Sequence, residues 1–129
     1  MSEQVDVASE LAESCTELAM DWKVNGSDLD LPYVALGHLA SRLVEVRQLH
    51  PHADFRRLFN DVETRLSAAQ PGVRNLIILG FLEALQNVDR EKATRWESLL
   101  GPETRQAWVA LNDVWAGRIT PETFNRIVS

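Results

Sequence analysis

Val73-Arg74-Asn75-Leu76-Ile77-Ile78-Leu79-Gly80-Phe81-Leu82-Glu83-Ala84-Leu85-Gln86-Asn87-Val88 is the stretch whose pattern decides the fold. At about 100° per residue, Leu76, Ile77, Ile78, Leu79, Phe81, Leu82, Leu85 and Val88 fall nearly all round a helix, so 73–88 is predicted to be a buried central helix with others wrapped about it. Gly80 and Ala84 project in similar directions and leave a side without bulk, where a neighbouring helix can come close. Of the polar residues in this stretch, Arg74, Asn75, Glu83 and Asn87 are expected to form a buried structural motif. A buried carboxylate has to be paired, so Glu83 calls for a partner, with Arg74 or another basic residue as candidate. A functional Glu83 in a groove is the alternative.

Outward from this helix, turn signals recur at Asn25-Gly26, His50-Pro51, Pro71-Gly72, Gly101-Pro102 and Gly117 to Pro121, cutting the chain into helix-sized blocks. In 5–23, Val7, Leu11, Cys15, Leu18 and Trp22 keep the helical period. In 33–48, Ala35, Leu36, Leu39, Leu43 and Val46 do the same, and in 53–69 Phe55, Leu58, Phe59, Val62 and Leu66 make the cleanest apolar stripe. A shorter helix is expected over 93–100. Another over 102–116 has Pro102 in its first turn and Trp108, Leu111 and Trp115 on one face, a spacing that favours core packing. Thr120 is placed to cap a last short helix that Pro121 opens. No strand alternation of useful length occurs. The expected fold is all-α: one domain over 1–129, of about six to seven helices, in an antiparallel helical stack or HEAT-like bundle around 73–88.

A length of 129 residues, 45% hydrophobic and 25% charged, suits a single globular domain with a core of its own. Cys15 is the one cysteine, which excludes an internal disulfide and a cysteine cluster for zinc. The start carries acids where a secretory signal carries bases, and the longest apolar run falls far short of the ~18 residues of a membrane span, so a cytoplasmic protein without a membrane segment is expected. The net charge of −6 is unevenly placed: residues 1–31 hold Glu3, Asp6, Glu10, Glu13, Glu17, Asp21, Asp28 and Asp30 against Lys23, and the remainder is close to neutral. An acidic chain without clustered Lys and Arg is a poor nucleic-acid binder.

Reactive chemistry has little to stand on. There is no P-loop and no dinucleotide fingerprint. Cys15 sits on an apolar face, where packing is the expected role. His50, His52 and Asp54 gather at one turn but lack a further ligand and an orienting shell, which favours a polar helix-starting loop over a metal site. No catalytic residue, metal or cofactor is therefore assigned, and a non-enzymatic protein is expected.

The acids are the most functional-looking feature. On a continuous helix, Glu3, Asp6, Glu10, Glu13, Glu17 and Asp21 fall within a sector about 80° wide. Such a ribbon either solvates its face or docks a basic partner, and like charges at i,i+4 cost a helix a few tenths of a kcal/mol, which a merely solubilising face avoids by mixing signs. Glu10, Glu13, Glu17, Asp21, Asp28 and Asp30, with Trp22 as a partly exposed anchor, form the candidate partner-binding set.

Arg74-Asn75 followed by a hydrophobic stretch, Phe81-Leu82-Glu83 and Gln86-Asn87, and then Leu99 to Trp108 with Asn112 to Gly117 around Trp115, resembles a family of small bacterial all-helical proteins, largely uncharacterised. The resemblance spans about 73–117 and implies an immunity protein of a polymorphic-toxin or contact-dependent inhibition system, binding and neutralising a toxin domain. The acidic segment lies outside that span. The expected function is thus a protein-binding immunity domain facing a basic toxin surface, and a HEAT-like scaffold or adaptor is the alternative.

Overall fold

The computed structural model describes residues 3–25, 32–68 and 71–129. These residues form α1 (Glu3–Ala12), α2 (Thr16–Asn25), α3 (Pro32–Leu49), α4 (Arg56–Ser67) and a continuous helical run made of α5 (Pro71–Asn75), a π-helical segment (Leu76–Leu82) and α6 (Glu83–Val88). A 3₁₀ helix (Ala93–Leu99), α7 (Pro102–Trp115) and α8 (Pro121–Val128) complete the chain. No strand occurs among the described residues, and no helix there is long and apolar enough to cross a membrane. The fold is a compact all-helical domain.

The central run is built as its composition requires. Leu76, Ile77, Ile78, Phe81, Leu82 and Leu85 are buried, while Leu79 and Val88 reach solvent, so the run is buried along most of its apolar residues but not all round. Its middle is wider than an α-helix: the Glu83 N–H donates to the carbonyl of Ile78, five residues back. α3 lies against it. A Cβ added to Gly80 would stand 3.3 Å from Leu36, so the missing side chain is what admits the neighbouring helix. The contacts advance together along both elements, from Tyr33 and Leu36 at Gly80 to Gly37 at Ala84. α3 and the central run therefore point the same way.

Around this pair, α1 rests on α3 and α4, α2 on α3, and α7 on α4 and α8. Trp96, Trp108, Phe59 and Phe81 are the largest fully buried side chains, with Phe59 tilted against both Phe81 and Trp96 at ring-centroid distances of 6.2 and 5.8 Å. α8 starts as its sequence demands, with the Thr123 N–H donating to Thr120 Oγ1 at 3.1 Å and Pro121 in the first turn.

Candidate functional site

The acidic quarter departs from the expected single ribbon. The chain turns at Glu13–Cys15, where the N–H groups of Ser14 and Cys15 donate to the carbonyls of Leu11 and Ala12 at 3.1 and 3.3 Å in tight three-residue steps. The Ser14 hydroxyl reaches across to Asp61 Oδ2 on α4 at 3.3 Å, a tie that a straight helix carries no signal for. Glu10 thus belongs to α1, Glu13 to the turn, and Glu17, Asp21 and Trp22 to α2.

The fold draws on two of these acids. Glu10 meets Arg65 of α4 at 2.9 Å, and the same guanidinium holds Asp61 at 3.0 Å. Asp21, with 24% of its side chain exposed, lies 3.6 Å from Arg42 Nε of α3, and Arg42 also binds Glu45 at 2.9 Å. Glu13 is exposed and Glu17 half-buried. Trp22 is half-buried too: its indole N–H donates to Ser9 Oγ at 3.3 Å, and its ring lies 5.6 Å from that of His38. Asp28 and Asp30 lie outside the described residues.

The expected buried polar motif is largely relocated. Asn75 and Asn87 are exposed and Glu83 is only half-buried, so none of the three needs a buried partner. Arg74 does not pair with Glu83. It donates to the carbonyls of Leu66, in the last turn of α4, and Val128, at the end of α8, and approaches Glu103 at 3.9 Å. A guanidinium across two helix C-termini satisfies orphan carbonyls and complements both dipoles. Among the described residues the buried polar ones are Gln86 of the same run, Asp89 and Thr104. Gln86 donates to the Trp108 carbonyl at 3.1 Å and ties the central run to α7.

Thr104 belongs to a cap delivered from another helix. Glu63 of α4 accepts the N–H of Glu103 at 3.0 Å and, at 2.8 Å each, the N–H and hydroxyl of Thr104, taking up the free donors of the first turn of α7. Burial pushes this carboxyl upward, but these N–H and O–H donors outweigh it and hold it below its ordinary value. A Cβ on Gly101 would stand 2.6 Å from the Glu63 carboxylate, so glycine is needed here for space; its φ of −76° is open to any residue.

A second charged region gathers around Trp96. The indole N–H donates to Asp89 Oδ2 at 2.7 Å, and Arg95 Nε donates to the same oxygen at 3.0 Å. Phe55 meets the ring edge-on at 5.6 Å. The guanidinium carbons of Arg47 and Arg95 stand 4.5 and 5.7 Å from the ring centroid. Beside them opens a cleft of about 420 Å³, lined among others by Arg47, Arg56, Arg95, His52 and Ser98. Arg56 is held by Asp54, donating from Nη2 and Nε at 2.9 and 3.1 Å, and these bonds bring the exposed Asp54 carboxyl down to about 2. Sequence reading singled out neither Trp96 nor the two arginines, because 48 positions separate Arg47 from Arg95.

The remaining candidates divide. Trp108 is buried as its spacing suggests, but Trp115, the last residue of α7, is 65% exposed. It borders a groove of about 570 Å³ with Gln86, Asn87, Arg90, Ala93 and Asn112, so the polar residues of the two signature segments meet at one surface. Cys15 is buried, and burial raises its thiol above the ordinary value. His50 and His52 are exposed, and no group of three or more His, Cys, Asp or Glu side chains among the described residues is placed to hold a metal ion.

No curated protein and no solved structure matches the chain. A family model matches 8–116, taking in most of the acidic quarter and the Trp96 region and ending before α8, and its description carries no term for toxin immunity. On that match the chain belongs to the family described as Domain of unknown function (DUF7674).

Proposed function

We propose that this protein is a non-enzymatic protein-binding domain whose acidic N-terminal quarter docks on a basic surface of its partner, and that the partner is the toxin domain of an immunity pair. The observation that supports the docking surface is the excess of acid in this quarter, part of which stays exposed after folding. Residues 1–31 carry eight acids against Lys23, and of the acids there whose side chains are described, Glu10 and Asp21 are drawn into ion pairs with arginines while Glu13 stays exposed. A surplus of one sign accelerates docking of a basic partner and makes the complex sensitive to salt. The toxin assignment rests on the resemblance carried by the Arg74-to-Asn87 and Leu99-to-Gly117 segments.

Tagged protein recovered from its native cells at low salt is expected to hold a toxin-domain partner that is lost at high salt and lost on joint Glu10→Lys, Glu13→Lys and Glu17→Lys substitution. Retention of the same partner by the charge-reversed protein removes the acidic surface from the proposal. The scaffold or adaptor reading draws on a different observation, the exposed Trp115 beside Asn87 and Asn112. It expects Trp115→Ala to abolish partner binding while charge reversal leaves it intact.

A further inference from the structure

Arg47 is a cation to which the described residues give no direct carboxylate partner, Asp89 acting on it only at a distance. Among the described residues none of its nitrogens has a hydrogen-bond or ion-pair partner, its contact is the face of Trp96, and its Nη1 is buried with no acceptor. Arg56 and Arg95 beside it are each committed to a carboxylate, Asp54 and Asp89. Burial, and after it the charge of Arg95, lowers the half-buried Arg47 guanidinium from its ordinary value, and the Asp89 carboxylate offsets only part of this. Desolvated donors without partners are costly, and an oxyanion set against the guanidinium fork would relieve that cost.

The cleft that Arg47 lines is large enough to admit such a ligand, and its chemistry narrows the class. Three arginines line the cleft with one carboxylate, Asp54, and the buried Asp89 pairs Arg95 from behind, which leaves a surplus of one positive charge for a monoanion to balance. Pro51, Ala53, Phe55 and Leu99 give the same cleft an apolar wall. We propose that this cleft binds a small monocarboxylate, with the carboxylate on Arg47 and a compact apolar body against Phe55 and Leu99. Guanidinium and carboxylate match as a two-pronged, charge-assisted pair. This site does not depend on the acidic quarter.

Benzoate is the probe. Calorimetric titration of the full chain with sodium benzoate, against sodium chloride of equal ionic strength, is expected to give a saturable heat, and benzoate is expected to raise the thermal midpoint and shift the Trp96 indole N–H resonance. Arg47→Met keeps the stem against Trp96, orphans no counter-ion and is expected to weaken benzoate at least about tenfold, the loss of a charge-assisted contact. Arg47→Lys, which retains the charge and loses the fork, is expected to fall between; it carries the test should the methionine variant fail to fold. Absence of saturable binding in the wild type, equal affinity in the Arg47 variants, or tighter binding of inorganic phosphate than of benzoate overturns the proposal.

Discussion

The N-terminal acids and the arginines around Trp96 are two answers to the same electrostatic problem. The acids are neighbours in sequence, and the fold disperses them: one helix becomes two, and Glu10 and Asp21 are bound by arginines from different helices. Arg47 and Arg95 are remote in sequence, and the fold brings them to one buried ring beside a shared cleft. Pairs at a wet surface contribute little, about 0–1 kcal/mol each, whereas polar groups packed around a buried indole are costly to disturb. Density of charge in the sequence is therefore a poor guide to where charge matters energetically. Glu63 makes the same point from the acidic side: one carboxylate with three donors in the partly buried interior does more structural work than the exposed Glu10, 52% open to solvent.

The contrast can be broken at several points. Trp96→Ala should have the largest effect, about 3–5 kcal/mol lost in denaturant unfolding, because it empties a fully buried volume and strips Asp89, Arg47 and Arg95 of their common partner. A loss under about 1 kcal/mol would mean that the ring is no hub. Glu63→Ala and Gly101→Ala should each cost about 1–3 kcal/mol by the same route, one deleting the cap of α7 and the other displacing it. The double variant should then lose much less than the two losses added together, and simple additivity would sink the shared mechanism.

Acid should reveal the same carboxylate. With a folded-state value held below the ordinary 4.5, ionised Glu63 stabilises the fold above that value, and the contribution drains away as pH falls through 4.5 towards the lower folded-state value. The stability gap between wild type and Glu63→Gln should accordingly narrow below about pH 4.5; a constant gap down to pH 3 would contradict the sign. Smallest of all, Glu10→Ala should change stability by no more than about 1 kcal/mol, with the difference shrinking in high salt. A larger loss would place the acidic quarter with the structural charges and leave it less free for a partner.

Much of the fold was legible because helical periodicity and turn chemistry are local. The segments 33–48 and 102–116 correspond to α3 and α7 within two residues, and Thr120-Pro121 starts α8 with the expected cap. Gly80 was readable as a point of close approach because a missing side chain on an apolar helix has few other uses. The break at Glu13–Cys15 was not readable: Leu11, Cys15 and Leu18 preserve the apolar period across it, and the Ser14 tie runs to Asp61, 47 positions away. The exposure of Trp115 was hidden for a related reason, since spacing along α7 says which residues share a face but not how far the packed neighbours extend.

The candidate sites were legible only in part, and the division is physical. Amino-acid identity alone determined an all-helical chain, a central apolar run, one small-residue approach and an excess of acid in the first quarter, because each depends on composition or on spacings of three or four residues. Tertiary structure decided which charges are engaged. It assigned Arg74 to the ends of α4 and α8, Glu63 to the start of α7, Arg65 and Arg42 to two of the acids, and left Arg47 at a cleft with its buried Nη1 unpaired. A side chain's charge is set by its chemistry, but its partner is set by which distant backbone the packing of helices brings within about 3 Å.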